Sequence, residues 1–234
     1  MQRAEITLLE VCLEDEGLMG GRIECPPGLR PAPGQYLLAH AAGMAEPLPS
    51  TLFPARFRPG DASSAELELA PPLPAGWTAG TRLAVRGPLG QGFNLPATAR
   101  QVALVAADGL APQVLLPLVD TALAQGAAVA LYTRDIPAGL PSEVEVLPPE
   151  PLSDVLGWAD YLAIQLQPGG LSKLRRRLGL APHAILPVPA QVLVQVAMPC
   201  GGIGDCGLCA VATRQGWKLA CKDGPVFNFN DLEE

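Results

Sequence analysis

The chain has 234 residues, room for two compact modules and an appendage; 49% are apolar and 17% charged, which excludes a disordered chain and allows a buried core. A count of 23 acidic against 16 basic residues, formal charge −7, removes the electrostatic footprint of a nucleic-acid binder. No apolar run reaches the roughly 18 residues that spanning a bilayer needs, and the N-terminus lacks the basic-then-apolar layout of a signal peptide, so the expected compartment is the cytoplasm.

The first part of the chain carries short alternating apolar runs broken by Gly and Pro: Glu5 to Cys12, Gly21 to Cys25, Gln35 to Ala41, Ala65 to Leu69 and Arg82 to Arg86. Runs of that length and period predict a small antiparallel barrel or sandwich over residues 1–97. The proline-rich spans Pro26 to Pro33 and Pro71 to Pro74 read as loops, because proline cannot donate to a ladder.

The texture changes after Pro96. Val102 to Ala107 is continuously apolar, as a strand covered on both faces would be, and Val114, Leu115, Leu118, Val119, Ala122 and Leu123 follow at helical spacing. Pro112 suits a first helical turn, whereas Pro117 bends the helix or delays its start. Ala127 to Thr133, Val144 to Leu147, Asp160 to Leu166 and Gln191 to Ala197 read as further strands, and Leu171 to Leu178 as a helix. Strands alternating with helices predict a parallel sheet with crossover connections over residues 98–197. The basic cluster Lys173, Arg175, Arg176 and Arg177 reads as a solvated helix face.

Residues 198–234 are rich in Gly and Cys with little apolar periodicity, so a metal is expected to replace the core that this segment lacks. Cys200, Cys206 and Cys209 sit in one glycine-lined loop and Cys221 follows after eleven residues. In a reducing compartment such crowding reads as metal binding rather than as disulfides. One loop delivering three thiolates and a later fourth matches plant-type [2Fe-2S] ligation, C-x4-C-x2-C…C, although the first gap here is five residues. A structural zinc held by four cysteines is the alternative. Asp205, inside the loop, is expected to face solvent, with Lys222, Lys218 or Arg214 offsetting the cluster's negative charge. Cys12 and Cys25 read as buried small apolar residues, His40 and His183 as structural or surface residues, and Trp77, Trp158 and Trp217 as packing residues.

The cysteine loop together with Cys221-Lys222-Asp223-Gly224-Pro225-Val226-Phe227 resembles the C-terminal signature of the electron-transfer subunit of two-subunit dihydroorotate dehydrogenases, a branch of the ferredoxin reductase family. The stretch from Gly80 to Phe93, which includes Gly87-Pro88-Leu89-Gly90-Gln91-Gly92-Phe93, and Pro33-Gly34-Gln35-Tyr36 are similar to further family segments. The resemblance implies an α+β multidomain chain: an N-terminal antiparallel β-barrel that is FAD-binding-like (1–97), a central α/β parallel-sheet domain that is NAD-binding-like (98–197), and a small [2Fe-2S] segment (198–234). It implies metal ligands Cys200, Cys206, Cys209 and Cys221, and a cytoplasmic subunit of a hetero-oligomer that passes electrons to a flavin-containing catalytic oxidoreductase subunit of dihydroorotate dehydrogenase type, in pyrimidine biosynthesis. Electron transfer needs no acid–base residue, so none is assigned as catalytic.

The same resemblance places FAD at Ser50 and Thr51 and NAD(H) at Gly109 and Pro112, and at both places this sequence departs from the family. Proline or leucine of Pro47-Leu48-Pro49-Ser50 stands where the family has the arginine that pairs with the flavin pyrophosphate. The family's following strand, which normally ends in a Gly-Thr pair near the cofactor, is replaced here by Arg58-Pro59-Gly60-Asp61-Ala62-Ser63. The first dinucleotide turn, Ala106-Ala107-Asp108-Gly109-Leu110-Ala111-Pro112, keeps one glycine and gains an acid; Gln165-Leu166-Gln167-Pro168-Gly169-Gly170 replaces the later Cys-Gly-Pro turn. Two other roles remain open: a complete reductase that binds both nucleotides by altered contacts, and a degenerate scaffold whose cysteines hold a structural metal.

Overall fold

The computed structural model describes residues 2–13, 17–43, 48–58, 65–200 and 202–233. The departures expected at Pro47 and over 59–63 lie outside the described residues. The N-terminal part is a rolled antiparallel sheet of β1 (Gln2–Leu13), β2 (Met19–Cys25), β3 (Tyr36–Ala41), β4 (Ser50–Leu52), β5 (Pro54–Arg58), β6 (Ala65–Leu69) and β7 (Arg82–Leu89), in the order β4-β3-β7-β1-β2-β6-β5. Strand alternation turns Leu8, Ile23, Leu37, Leu67 and Leu83 inward, where all are fully buried. Each such side chain contributes about 1.5–3 kcal/mol.

The central part is a sheet whose first five strands are parallel. Its elements are β8 (Gln101–Ala106), α1 (Leu116–Ala124), β9 (Ala128–Tyr132), β10 (Val144–Leu147), α2 (Val155–Trp158), β11 (Tyr161–Leu166), α3 (Leu171–Arg177) and β12 (Ala190–Val194). Pro117 has the expected effect: a 3-10 turn spans Pro112–Leu115 and α1 starts only at Leu116, with the proline inside its first turn. The strand expected from Gln191 to Ala197 ends at Val194. Phe53, Ala55 and Ala70 of the rolled sheet share one buried core with α1 and β8, so β5 packs directly on the α/β unit.

The C-terminal segment departs from expectation. It forms a hairpin of β13 (Ala210–Thr213) and β14 (Gly216–Leu219), one turn of helix α4 (Ala220–Asp223), and β15 (Val226–Asn228). The last strand pairs antiparallel with β12, through Val192 with Phe227 and Leu193 with Val226, completing the order β10-β9-β8-β11-β12-β15. Val226, Phe227, Phe229 and Leu232 are buried in the core of the α/β unit. The segment therefore borrows a core from its neighbour, and a metal is not its sole source of order.

The basic cluster is also not a plain solvated face. Arg175 is buried, donates to the Ala184 carbonyl at 2.7 Å and lies over the Phe229 ring at 4.9 Å; Lys173 pairs with Asp108 and Arg177 with Glu150. No helix among the described residues is long and apolar enough to cross a membrane.

Candidate metal centre

Three motifs far apart in sequence meet beneath the cysteine loop. Gln35 Nε2 donates to the Gly90 carbonyl at 3.0 Å, and the Phe93 N–H to the Pro33 carbonyl at 2.8 Å. Gly34 leaves room for Val226 and Phe93, and Gly90 for the Gly224 carbonyl and the Pro225 ring; a Cβ at either glycine would stand within 2.8 Å of those atoms. Both glycines have positive φ, so size and backbone conformation each demand the residue. Tyr36, fully buried at the start of β3, donates its hydroxyl to the Cys221 carbonyl at 3.0 Å. Burial, reinforced by the neighbouring cysteines, holds that phenol protonated.

Above this base the four thiols form one string. Cys206 stands beside Cys200 and helps lower its pKa, Cys209 and Cys200 both act on Cys221, and the Cys221 N–H points to the Cys209 sulfur at 3.5 Å. Cys209 and Cys221 are buried, Cys200 is half-buried and Cys206 is exposed, so the string runs from the core to the surface. Backbone N–H groups of Gly204, Gly202 and Ile203 converge on the Cys200 sulfur, chiefly that of Gly204, and pull its thiol down to about 6. Cys221 moves the other way: burial first, then the adjacent Cys209 and Cys200, push it up to about 12. Gly202, Gly204 and Gly207 all have φ between 72° and 84°, which is what lets the loop curl its amides inward.

This arrangement fits an iron–sulfur cluster. Amides converging on one sulfur supply the donors that a negatively charged cluster requires. Among the described residues no group of three or more Cys, His, Asp or Glu is gathered closely enough to hold a metal ion as it stands, so the fit rests on the four cysteines being neighbours and on the loop's amides.

Asp205 is exposed, as expected. Of the three basic residues considered, Lys222 packs beside Gly204, while Arg214 is directed to the His183 carbonyl. Cys25 is buried in the rolled sheet and Cys12 half-buried. Trp77 is buried and Trp158 partly so, but Trp217 is 74% exposed and does not pack as expected.

A groove of about 770 Å³ runs from the loop along the outer face of the rolled sheet, bounded by Cys200, Ile203, Leu38, Leu48, Arg3 and Arg86 among others. Sequence reasoning missed this wall, because it is assembled from β1, β3, β7 and the loop. Thr51 is in register with Leu38, and so lies on the groove's face of the sheet. Ser50 is in register with Ala39, which belongs to the inner core, so the two hydroxyls proposed for FAD face opposite sides. Gly109 and Pro112 lie in the turns that follow β8.

Fold and loop together define a class: a ferredoxin-reductase-like fold that ends in an iron–sulfur segment. Residues 196–233 match the family described as the iron-sulfur cluster binding domain of dihydroorotate dehydrogenase B, in keeping with the resemblance read from the sequence. A 41-residue stretch is 51% identical to sulfhydrogenase 1 subunit gamma of Pyrococcus furiosus; it covers 18% of this chain and only 14% of that relative. The structure of an NADH-dependent reduced ferredoxin-NADP oxidoreductase superposes with a TM-score of 0.73 at 17% identity, over 98% of this chain and 90% of that one. Phthalate dioxygenase reductase superposes with a TM-score of 0.57 at 13% identity, over 91% and 87%. At such identities the structural likeness establishes the fold.

Proposed function

We propose that this chain is the electron-transfer subunit of a hetero-oligomeric oxidoreductase, with Cys200, Cys206, Cys209 and Cys221 holding a [2Fe-2S] cluster. The observation that carries the reading is the string of four thiols with three backbone N–H groups turned onto Cys200. A bound cluster supplies one-electron redox chemistry. The chain's own work is to fix the four sulfurs, to offer amide donors that stabilise added negative charge, and to bring the Cys200–Cys206 end to the surface while Cys209 and Cys221 anchor the other end in the core.

The groove beside Cys200 suits a flavin ring: it is walled by apolar Leu38, Leu48 and Ile203, with Arg3 and Arg86 to meet the polar edge. The ring could belong to FAD on this chain, seated before Thr51, or to a catalytic partner of dihydroorotate dehydrogenase type. The matched family and the sulfhydrogenase subunit both support a role beside a catalytic subunit. A cytoplasmic setting and a place in pyrimidine biosynthesis belong to the same proposal. Domain limits at 97/98 and 197/198 belong to the proposal too; the separate first sheet supports the former, and β15 joins the second sheet from beyond the latter.

Replacing Cys206 or Cys209 by serine tests the ligand set. Each variant should lose the visible absorbance and the bound iron of the anaerobically purified chain; retention of both by the two variants rejects the assignment. Flavin content of the isolated chain separates FAD held here from a flavin supplied by the partner.

A further inference from the structure

Open α/β sheets receive nucleotides at the topological switch point, in the crevice beyond the carboxyl ends of the two strands where the order reverses. In this sheet that point lies between β8 and β11, which are neighbours in the order β10-β9-β8-β11-β12-β15. The turn after β8 contains Asp108 and Gly109, and the turn after β11 contains Gly169 and Gly170. A dinucleotide would have to lay its phosphates between these two turns.

The space is already taken. Asp108 adopts a left-handed backbone (φ 57°) that turns its carboxylate across the crevice. One carboxylate oxygen lies against Gly170, closer than a Cβ there could approach; the other pairs with Lys173 Nζ at 2.9 Å. The aspartate side chain is only 16% exposed. Of the other two cations here, Arg177 is engaged by Glu150 and by the Pro149 carbonyl, and Arg134 lines the space beside Gly109. On the β8 side what remains, lined by Gly109, Leu110, Arg134 and these groups, is a cavity of about 70 Å³; the pocket of about 300 Å³ at Gly169 is walled by β12 and the hairpin and does not include Asp108. Pockets that take small molecules run to roughly 300–1,000 Å³. Beside Pro112 only about 10 Å³ remains.

Charge adds to volume at the Asp108 end of the crevice, while Arg134 lines the other side. A phosphate placed here would meet a carboxylate that points at it and would have to draw Lys173 away from its partner. We propose that Asp108 and Lys173 close the switch-point crevice from within, so that this chain takes no pyridine nucleotide and its electrons enter by another route. The α/β unit then serves as the support on which β15 and the cysteine segment are built. The closure stands on its own geometry and does not depend on which metal the cysteines hold.

The test is direct binding of NADH and NADPH to the purified full chain, followed by nucleotide fluorescence and by calorimetry, neither of which needs a metal or a partner. The wild-type chain should show no saturable binding up to about 1 mM, an affinity of about −4 kcal/mol. Asp108→Gly suits the left-handed backbone and empties the crevice; Asp108→Asn keeps the size and removes the charge. Asp108→Gly should gain at least about tenfold in affinity, roughly 1.4 kcal/mol, with Asp108→Asn between it and wild type. Saturable binding by the wild type in the micromolar range overturns the proposal. So does a folded Asp108→Gly chain, checked by circular dichroism, that binds no better than wild type.

Discussion

Tyr36 donates its hydroxyl to the backbone carbonyl of Cys221 at 3.0 Å, and the two residues are 185 positions apart. The bond ties β3, one strand of the groove wall, to the backbone of the residue that carries the fourth thiol. Both ends are buried, so loss of the donor leaves a carbonyl without compensation. Tyr36→Phe should destabilise the chain by about 1–3 kcal/mol in denaturant unfolding. It should also shift the cluster's electron paramagnetic resonance signal while iron content stays near that of wild type; an unchanged signal would show that the tyrosine only packs.

Glycines of like conformation should differ in consequence. Gly90 and Gly207 have φ of 75° and 72°, but a Cβ at Gly90 meets the Gly224 carbonyl at 2.7 Å, whereas one at Gly207 meets nothing within 4 Å. Gly207→Ala should cost about 1–2 kcal/mol, the left-handed penalty alone. Gly90→Ala should cost roughly 2–5 kcal/mol and lower the iron retained, because overpacking is added and the β15 turn must move. Thermal melts with iron determination on both variants check the order.

The thiols should separate by pH in the metal-free chain. With its pKa drawn down to about 6, Cys200 should react with iodoacetamide at a rate that climbs as pH rises through about 6 and then levels. Cys25, which burial pushes up to about 11, should stay unmodified at pH 8. Its sign for stability is the raised case: the thiol is protonated in the fold and ionises in the unfolded chain near 9.0. That contribution is therefore full below pH 9 and is lost as pH climbs toward 11. Mass spectrometry of labelled peptides against pH measures the reactivities.

Ile203 is 64% exposed at the tip of the loop and Leu48 is 53% exposed across the groove. Apolar side chains so placed beside a redox site suit a docked partner or a flavin edge. Ile203→Glu should leave the visible spectrum intact and slow electron delivery to a flavin-containing acceptor by about tenfold or more, equivalent to about 1.4 kcal/mol of lost interaction. Stopped-flow reduction of that acceptor is the measurement.

Much of this was legible in residues that bring their own pattern. Ala65 to Leu69 and Val144 to Leu147 read as strands because two-residue alternation or a β-branched run suffices, and both appear within those limits. Pro117 delayed α1 for a reason written in its ring. What escaped was set by partners. The three residues of β15, just after Pro225, have no period of their own and become a strand only because β12 offers an edge. At the site, the four cysteines announced themselves by spacing. The acid in the first turn was visible too, but its partner Lys173 read as part of a solvated face, since the side-chain direction depends on how α3 docks. Tyr36 is legible in the sequence only as one letter of Pro33-Gly34-Gln35-Tyr36; its reach to Cys221 depends on β15 bringing the tail back against the rolled sheet.

Iron, zinc and acid-labile sulfide per chain in anaerobically purified protein, with electron paramagnetic resonance after dithionite reduction, decide which metal the four cysteines hold. About two irons and about two sulfides per chain are expected, with a signal from a single unpaired spin. About one zinc per chain with no sulfide and no signal would contradict the cluster assignment.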